Sequence, residues 1–574
     1  MEATLVDIQN VFEERGLQIP KLNVLTPDSK LYDVLAIQPV GEIDANATFI
    51  GHTNRIVAEV KFSEFLRLAL DKNCDLALSP EYSCPWQVLE AAIAQHSLPK
   101  MGKMWILGCE SITRDQLHQF IVKHQNIEWI TGDIPSGAGQ FLDVLAYVTK
   151  AKSTAGDVKD VITLQFKTQP MGGNDTFERT HLVCGNLIYY WHNPTDVIRL
   201  VSLICSDALE FDEAARAKCG FAIHPYIIFH AQLIQDPHHP DISAYRGQLF
   251  SQDVSKEVEV LTLNWARGFT LPLKEPSRYG GSAIYTKSPQ FVTTDNRLEE
   301  NHQKGLYYSH WHARRTELCL LSFNEHVFSF RMPKIRHNGP ASSSQRTGPE
   351  MYSLLQWDCE KEAWLDSCHS DDGFAELCES FAEPTCDFCL ASPNTAIDRE
   401  RLFMISAGKL LASKDWHKVS CLTSYSAEMD ECSKRITFTH EQAITSHDFR
   451  IHCLERYIKL RTTVLTNPAN FPPNIQDLIN NWSLQPPNAE DNFRFNLISP
   501  SGRSGATAIF VGGKPPSLVQ QLKNELIRGW GKTPSQRLVI WYEHRGTILF
   551  THPPLPDISD DSELPGSIVS PVIT

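Results

Sequence analysis

Short apolar runs alternate with a helix-like pattern between residues 31 and 335. The first runs are YDVLAIQPV, CDLALSP, KMWILGCESI, FLDVLAYVTKAK and KDVITLQFK, and residues 54–72 carry apolar residues at helical spacing. Further runs are NLIYYWHN, DVIRLVSLIC, FAIHPYIIF, VEVLTLNW, GGSAIYTKS and LCLLSFN. One simple doubly wound sheet cannot hold so many strands. The pattern therefore predicts an α/β domain with two packed sheets.

The pattern changes on both sides of this domain. Residues 1–30 are expected to form an N-terminal helical extension. Residues 336–350, RHNGPASSSQRTGPE, concentrate Gly, Pro and Ser without a periodic apolar residue, which is typical of a linker. Residues 351–490 indicate a mainly helical, cysteine-containing region, and residues 491–552 a small α+β module of strand, strand, helix, strand and strand. Residues 553–574 are Pro-rich and acidic, and we expect a mobile tail.

Composition narrows the class of protein. The 574 residues are 42% hydrophobic, which is globular, and 53 Lys and Arg against 68 Asp and Glu give a net charge of −15. Direct binding to nucleic acid or to an anionic membrane is therefore not expected. No window approaches the roughly 20 apolar residues of a membrane span, and the first residues do not resemble a secretory signal. Fifteen irregularly spaced cysteines are typical of reduced thiols, so we expect a cytoplasmic protein.

Three apolar runs each end in a reactive side chain. CDLALSP leads to Glu81, DVITLQF to Lys167 and LVSLI to Cys205. Because neighbouring strand ends form one rim of a sheet, these residues are expected to converge. A deprotonated cysteine is a strong nucleophile, a carboxylate can take its proton and later activate water, and a lysine can hold an oxyanion. The trio predicts acyl transfer from nitrogen.

The motifs around these residues resemble the nitrilase, or carbon–nitrogen hydrolase, superfamily. SPEYS, LQFKTQPM and LICSDALEF occur in the family's order, LAIQPV precedes them and GGSAIYTKSPQF follows, so that the resemblance covers about residues 31–335. It implies a four-layer α-β-β-α sandwich, a thioester on Cys205, Glu81 as the base and an oxyanion held by Lys167 and the backbone N–H of Ser206. Glu178 matches a second glutamate that orients the lysine in many members.

The resemblance also implies the partners of the protein. The expected substrate is a small amide, carbamoyl amine or nitrile, no metal or organic cofactor is needed, and members of the family commonly form homo-oligomers. Thr168 and Gln169 replace the usual His-Leu continuation after the lysine, which leaves the substrate open.

A second hypothesis is that the protein is a nitrilase-like scaffold or accessory protein without turnover. Under this hypothesis residues 351–574 dock a protein partner within a larger assembly. One example is a bacterial antiviral system with a reverse transcriptase, since nitrilase-like domains also occur in such systems. Rapid, selective alkylation of Cys205 favours the enzyme, and equal labelling of the thiols favours the scaffold.

A zinc site is weakly indicated beyond residue 351. Cys386 and Cys389 have zinc-knuckle spacing, but the second pair that a tetrahedral site needs is missing. The cysteines of this region are therefore expected to be reduced and metal-free.

Overall fold

A computed structural model gives the fold of the chain. The residues that it describes are 3–26, 31–171, 177–194, 198–221, 223–235, 240–251, 257–277, 282–288, 300–301, 304–311, 316–333, 348–367, 483–484, 497–498, 505–530 and 537–551. These residues form a mixed α/β structure with several sheets.

The strands are numbered in chain order. Those before residue 200 are β1 Thr4–Asp7, β2 Leu31–Gln38, β3 Ile43–Asn46, β4 Phe49–His52, β5 Leu76–Cys84, β6 Met104–Ile112, β7 Glu128–Ile130, β8 Leu142–Lys152, β9 Val158–Phe166, β10 Leu187–Trp191 and β11 Arg199–Ile204. Those that follow are β12 Tyr226–Ala231, β13 Val258–Leu263, β14 Ala283–Lys287, β15 Leu306–Trp311, β16 Thr316–Leu321, β17 His326–Pro333, β18 Glu350–Asp358, β19 Ala363–Asp366, β20 Ser483–Leu484, β21 Leu497–Ile498, β22 Gly505–Gly513, β23 Leu538–His544 and β24 Thr547–Thr551.

The helices are numbered in the same way. They are α1 Ile8–Glu14, α2 Arg55–Asp71, α3 Trp86–Ala94, α4 Arg114–Lys123, α5 Phe177–His181, α6 Glu213–Lys218, α7 Pro240–Ser251 and α8 Pro516–Trp530, with 3₁₀ turns at Asn23–Leu25 and Cys205–Leu209. None of the helices in the described ranges has the length and apolar content needed to cross a lipid bilayer.

Two large sheets carry the first part of the chain. One has nine strands in the order β19-β18-β17-β2-β5-β6-β8-β9-β7, and the other has eight in the order β1-β10-β11-β12-β13-β14-β16-β15. Strand β5 contacts β12 and β13, and β9 contacts β10. The Gln165 amide crosses between the sheets and donates to the backbone oxygen of Ser202 over 2.9 Å. The two sheets therefore lie against each other along β5 and β9.

Helices cover the nine-stranded sheet. Phe62 and Phe65 of α2, Leu89 of α3 and Leu117 of α4 belong to one buried cluster with residues of β5, β6, β8 and β9. Strands β5 and β6 are buried at every position. Burial on both faces explains why apolar residues stand at consecutive positions in LAL of β5 and MWIL of β6 and do not alternate with polar ones.

A separate five-stranded sheet lies near the C-terminus, in the order β20-β21-β22-β23-β24. Strands β22 and β23 are parallel and are joined through α8, whereas β23 and β24 form an antiparallel hairpin. The elements β21, β22, α8, β23 and β24 occupy the five segments to which the sequence pattern assigned strand, strand, helix, strand and strand.

The predicted boundary at 336–350 is wrong. Strand β18 pairs antiparallel with β17, and β19 pairs with β18, so residues on both sides of that segment share one sheet. Met351, Leu354 and Leu355 are buried at a spacing that imitates a helix. The pairing shifts register beside Tyr352, where β18 has one extra residue. A bulge of this kind interrupts the alternation of side chains, so that Met351 and Leu354 lie on the same face of the strand. The start of the predicted helical region is therefore sheet.

The N-terminal segment also differs from the expectation. Residues 4–7 form β1, which pairs in parallel with β10, and only then does α1 begin. Phe12 is fully buried and packs edge-on against Trp191, with ring centroids 5.7 Å apart. The segment is thus part of the eight-stranded sheet and its core, and not a helical extension.

Several predictions fall on residues outside the described ranges. These are most of the linker 336–350, the cysteine-containing region beyond residue 367, including Cys386 and Cys389, and the tail 553–574. The described cysteines form no disulfide bond.

Candidate active site

Glu81 lies in β5, and its side chain is 1% exposed. Tyr82, which follows it, has a φ of +55°, an uncommon left-handed conformation for a non-glycine residue. Gly108 of β6 packs against this point so closely that a Cβ would lie 2.1 Å from the Pro80 oxygen. The Trp265 indole N–H donates to the Glu81 carbonyl over 2.8 Å. The backbone that bears Glu81 is therefore held from both sheets.

Lys167 follows β9 directly and has no exposed surface. Its Nζ donates to Glu81 Oε1 at 2.7 Å and to Glu178 Oε1 and Oε2 at 2.8 and 2.9 Å. The structure thus brings these three predicted residues into direct contact.

Glu178 lies in the short helix α5 and is 7% exposed. Its carboxylate accepts from two donors besides Lys167. The Tyr82 hydroxyl donates to Oε1 over 2.9 Å, and the Met171 backbone N–H donates to Oε2 over 2.7 Å. Because three different donors fix this carboxylate, it fixes the Lys167 ammonium in turn.

Cys205 begins the 3₁₀ turn that follows β11, is 2% exposed and has a φ of +43°. The Asp207 carboxylate accepts hydrogen bonds from the Thr168 N–H and hydroxyl at 2.8 Å each and from the Ile204 N–H at 3.3 Å. It therefore links the end of β11, before Cys205, to the segment after β9 that bears Lys167. A His230 ring nitrogen lies 2.8 Å from the Cys205 carbonyl oxygen.

Ser206 is fixed against the segment after Lys167. Its hydroxyl donates to the Gln169 carbonyl over 2.8 Å, and its own carbonyl accepts from the Gln169 amide. Ser206 is the second residue of the turn, and N–H groups at the start of a helical turn have no acceptor within it. This position suits the oxyanion role that the resemblance implies.

Burial sets the protonation states of the site. Burial, the Glu81 charge and the Glu178 charge together raise the pKa of the Cys205 thiol well above its usual value, against the opposing effects of Lys167 and of a hydrogen bond with the Leu233 backbone. Burial also raises the pKa of Glu81, although Lys167 opposes it. For Lys167, burial lowers the pKa, but Glu178 and Glu81 outweigh burial and hold the ammonium pKa well above its usual value. The resting site therefore pairs a neutral thiol with an ammonium.

Asp143 is a further ionisable residue of the site, and the strand-end pattern missed it. It lies in β8, is 1% exposed, and its Oδ2 is 3.7 Å from Lys167 Nζ. The sequence holds one signal for it, since it is an acidic residue inside the otherwise apolar run FLDVLAYV.

Carboxylate oxygens of Glu81, Asp143 and Glu178 lie within 4.8 Å of one another, as ligands of a hard divalent cation do. The Lys167 ammonium lies 2.7 and 2.8 Å from two of the three groups. This ammonium already supplies the positive charge that the carboxylates surround.

Neither a protein-family model nor a curated protein sequence matches the chain. It is similar to the solved structure of a glutamine-dependent NAD+ synthetase from Acinetobacter baumannii in complex with ADP, at 12% identity and a TM-score of 0.31. That match covers 70% of this chain and 58% of the synthetase, so the chain spans less than two thirds of its length.

Two further solved structures are similar to the chain. An amidase from Nesterenkonia sp. is 13% identical with a TM-score of 0.25, over 46% of this chain and 84% of the amidase. A glutamine-dependent NAD(+) synthetase from Cytophaga hutchinsonii is 10% identical with a TM-score of 0.26, over 90% of this chain and 65% of the synthetase. Similarities at this level carry no argument about the chemistry of this chain.

Proposed function

We propose that the protein is a thiol-dependent hydrolase that cleaves a non-peptide C–N bond in a small amide, carbamoyl amine or nitrile. The observation that carries this proposal is the buried Lys167 ammonium, which bridges Glu81 and Glu178, while hydrogen bonds from the adjacent Thr168 to Asp207 hold it beside the turn that Cys205 begins. A structural ion pair needs no thiol beside it. An acyl-transfer site needs all four groups.

In the first step the Cys205 sulfur attacks the carbonyl carbon while its proton moves to Glu81. The raised pKa of Glu81 suits this transfer, because a base works best when its pKa approaches the operating pH. The negative charge that develops on the substrate oxygen is held by Lys167 and the backbone N–H of Ser206.

In the second step the leaving amine takes the proton from Glu81, and a thioester remains on Cys205. Water then attacks the thioester carbon, Glu81 accepts a proton from that water, and the acid is released as the proton returns to the sulfur. A nitrile passes through a thioimidate, and a first water converts it to the same thioester with release of ammonia. Glu178 holds Lys167 in place throughout.

For the fold, we propose that the two large sheets and their helices form a four-layer α-β-β-α sandwich. The contacts of β5 with β12 and β13 and the packing of α2, α3 and α4 on the nine-stranded sheet support this arrangement.

The proposal is tested with a panel of short amides, carbamoyl amines and nitriles, measured by ammonia release and, with hydroxylamine present, by capture of the acyl group as a hydroxamate. The expected result is turnover of at least one member, with both products lost in Cys205→Ser because a hydroxyl does not ionise in a site tuned for a thiol. Cys219→Ser is the matched control, a buried cysteine at the end of α6 that should keep both products. If the whole panel is inert for the wild type, or if Cys205→Ser keeps hydroxamate formation, the scaffold reading replaces the enzyme.

A further inference from the structure

Three buried carboxyl groups share one ammonium in the candidate site. Glu178 accepts hydrogen bonds from Lys167, Tyr82 and Met171, as an ionised carboxylate does. Glu81 and Asp143 are different. Glu81 Oε1 accepts from Lys167, but no donor reaches Glu81 Oε2 or either Asp143 oxygen, and all three oxygens are inaccessible to solvent. A buried carboxylate oxygen without a donor is costly, and carboxylate oxygens of Glu81 and Asp143, which lie within 4.8 Å of each other, also repel when both groups are ionised.

A single proton removes this conflict. If one of the two carboxyl groups keeps its proton, its O–H donates to the other group, and the two orphaned sides become one hydrogen bond. The second group then remains an anion that accepts from both the acid and Lys167. Like-charged carboxyl groups at this separation share a proton for the same reason.

We propose that Asp143 is a positioning residue that stays a neutral carboxylic acid at neutral pH and donates its proton to Glu81 Oε2. Glu81 thereby remains the ionised partner, with Oε1 on Lys167 and Oε2 on Asp143. When the Cys205 S–H bond breaks, its proton forms a new O–H bond on Glu81, while the Asp143 proton stays where it was. Glu81 and Asp143 together thus hold one proton before this transfer and two after it.

The electrostatics agree with this assignment. Burial, followed by the Glu81 charge, raises the pKa of Asp143 well above the usual aspartate value. The geometry decides which group holds the proton, because Lys167 Nζ lies 2.7 Å from Glu81 Oε1 but 3.7 Å from Asp143 Oδ2, and the nearer ammonium favours the anion on Glu81. The other titratable or charged groups that act on the pair are Lys167, Glu178, Tyr82 and Cys205.

The first test is the infrared spectrum of the full chain, in which a protonated carboxylic acid has its own C=O stretching band. At about pH 9 the buried Glu110 and Asp207 are ionised, because the pKa of each is about 7. The expected result is an acid band that persists at this pH, is absent from Asp143→Asn and is present in Glu178→Gln. A wild-type spectrum without an acid band overturns the proposal, whether or not the variants fold.

The second test is the pH at which Cys205 ionises, read from the ultraviolet absorbance of its thiolate as the difference between each protein and the same protein with Cys205→Ser. Asp143→Asn replaces a neutral donor by a neutral donor, so the midpoint should stay in place. Glu178→Gln removes a negative charge, so its midpoint should fall. If Asp143→Asn lowers the midpoint as far as Glu178→Gln does, Asp143 is an anion and the proposal is wrong.

Both readouts concern the resting protein and need no substrate. The proposal shares its site with the proposed function, but a panel of inert substrates would overturn that function and leave the proton on Asp143 standing. Conversely, an active enzyme without the acid band would keep the function and overturn this inference.

Discussion

Lys167 carries a positive charge with no exposed surface, and the carboxyl groups around it are almost equally buried. Replacing it by methionine keeps most of the apolar stem but removes the ammonium, which leaves Glu81 and Glu178 without a counter-ion. Removing one partner of a buried ion pair costs about 3–5 kcal/mol. We therefore expect Lys167→Met to lower the free energy of unfolding by about that amount, measured by urea denaturation. Lys159→Met is the control, because its ion pair with Glu128 spans 3.6 Å at the surface and should contribute at most about 1 kcal/mol.

Glu110 of β6 makes stability depend on pH. Its side chain is 2% exposed, its Oε1 accepts the His52 backbone N–H over 2.9 Å, and burial raises its pKa to about 7. A raised pKa stabilises the fold fully at pH values below the pKa of the unfolded state, and this stabilisation is lost as pH rises through the pKa of the folded state. The free energy of unfolding of wild type therefore falls between about pH 4.5 and about pH 7. Glu110→Gln keeps the acceptor and does not titrate.

The free energy of unfolding of Glu110→Gln, relative to that of wild type, should therefore rise by up to about 3 kcal/mol between about pH 4.5 and about pH 8. Urea unfolding of both proteins at both pH values measures this difference. Glu90→Gln is the control, since Lys123 lowers the pKa of the half-exposed Glu90 and its contribution runs in the opposite sense. An equal gain in both variants would mean that burial does not control Glu110.

The sequence indicated four of the five ionisable residues from which the candidate site is built, and it missed Asp143. Glu81, Lys167 and Cys205 stand at strand ends, where a reactive side chain after an apolar run is visible, and Glu178 was found through the resemblance. Asp143 stands inside a strand. Its neighbours across the sheet come from β6 and β9, so its partners depend on strand pairing that no local pattern reveals.

Among the secondary-structure elements, β6 is the one whose packing positions Glu81. A Cβ at Gly108 would lie 2.1 Å from the Pro80 oxygen and 2.9 Å from the Glu81 Cα, both backbone atoms that cannot move aside alone. Gly108→Ala should therefore destabilise the fold by about 3 kcal/mol, measured as a lower urea midpoint. Gly247→Ala in α7 is the matched control, since nothing lies within 4 Å of the added atom, and alanine favours a helix by about 1 kcal/mol. A Gly108→Ala protein as stable as wild type would show that β5 and β6 are free to separate.

The elements also show where local patterns fail. Strands β5, β6, β8, β9 and β11 were predicted because each contains a run of consecutive, mostly apolar positions that the fold buries. Strand β18 was predicted as helix because its bulge places Met351 and Leu354 three residues apart on one face. A bulge depends on the partner strand, so the sequence of β18 alone does not contain it.

For the whole molecule, the edge formed by β18 and β19 moves the end of the first unit to about residue 370. A fragment of residues 1–370 keeps Met351, Leu354 and Trp364 buried, whereas one that ends at 335 loses them and leaves β17 as an exposed edge. Each of these side chains contributes about 1.5–3 kcal/mol when it is buried. The longer fragment should therefore unfold at a clearly higher urea concentration, and its β17 amides should exchange more slowly with deuterium. Equal midpoints would restore the boundary at 336–350.

Cys205 occupies a backbone conformation that glycine adopts without cost and other residues adopt at about 1–2 kcal/mol. In a lineage that no longer used the thiol, a mutation to glycine would remove this conformational cost but would also lose the packing of the side chain against Ile234 and Ile242. The two effects oppose each other, so such a mutation would be tolerated far more easily there than in a lineage that needs the thiol. Glycine at this position in a relative would indicate that the relative has lost the nucleophile. Cysteine would indicate that the relative keeps the nucleophile together with its strained backbone conformation.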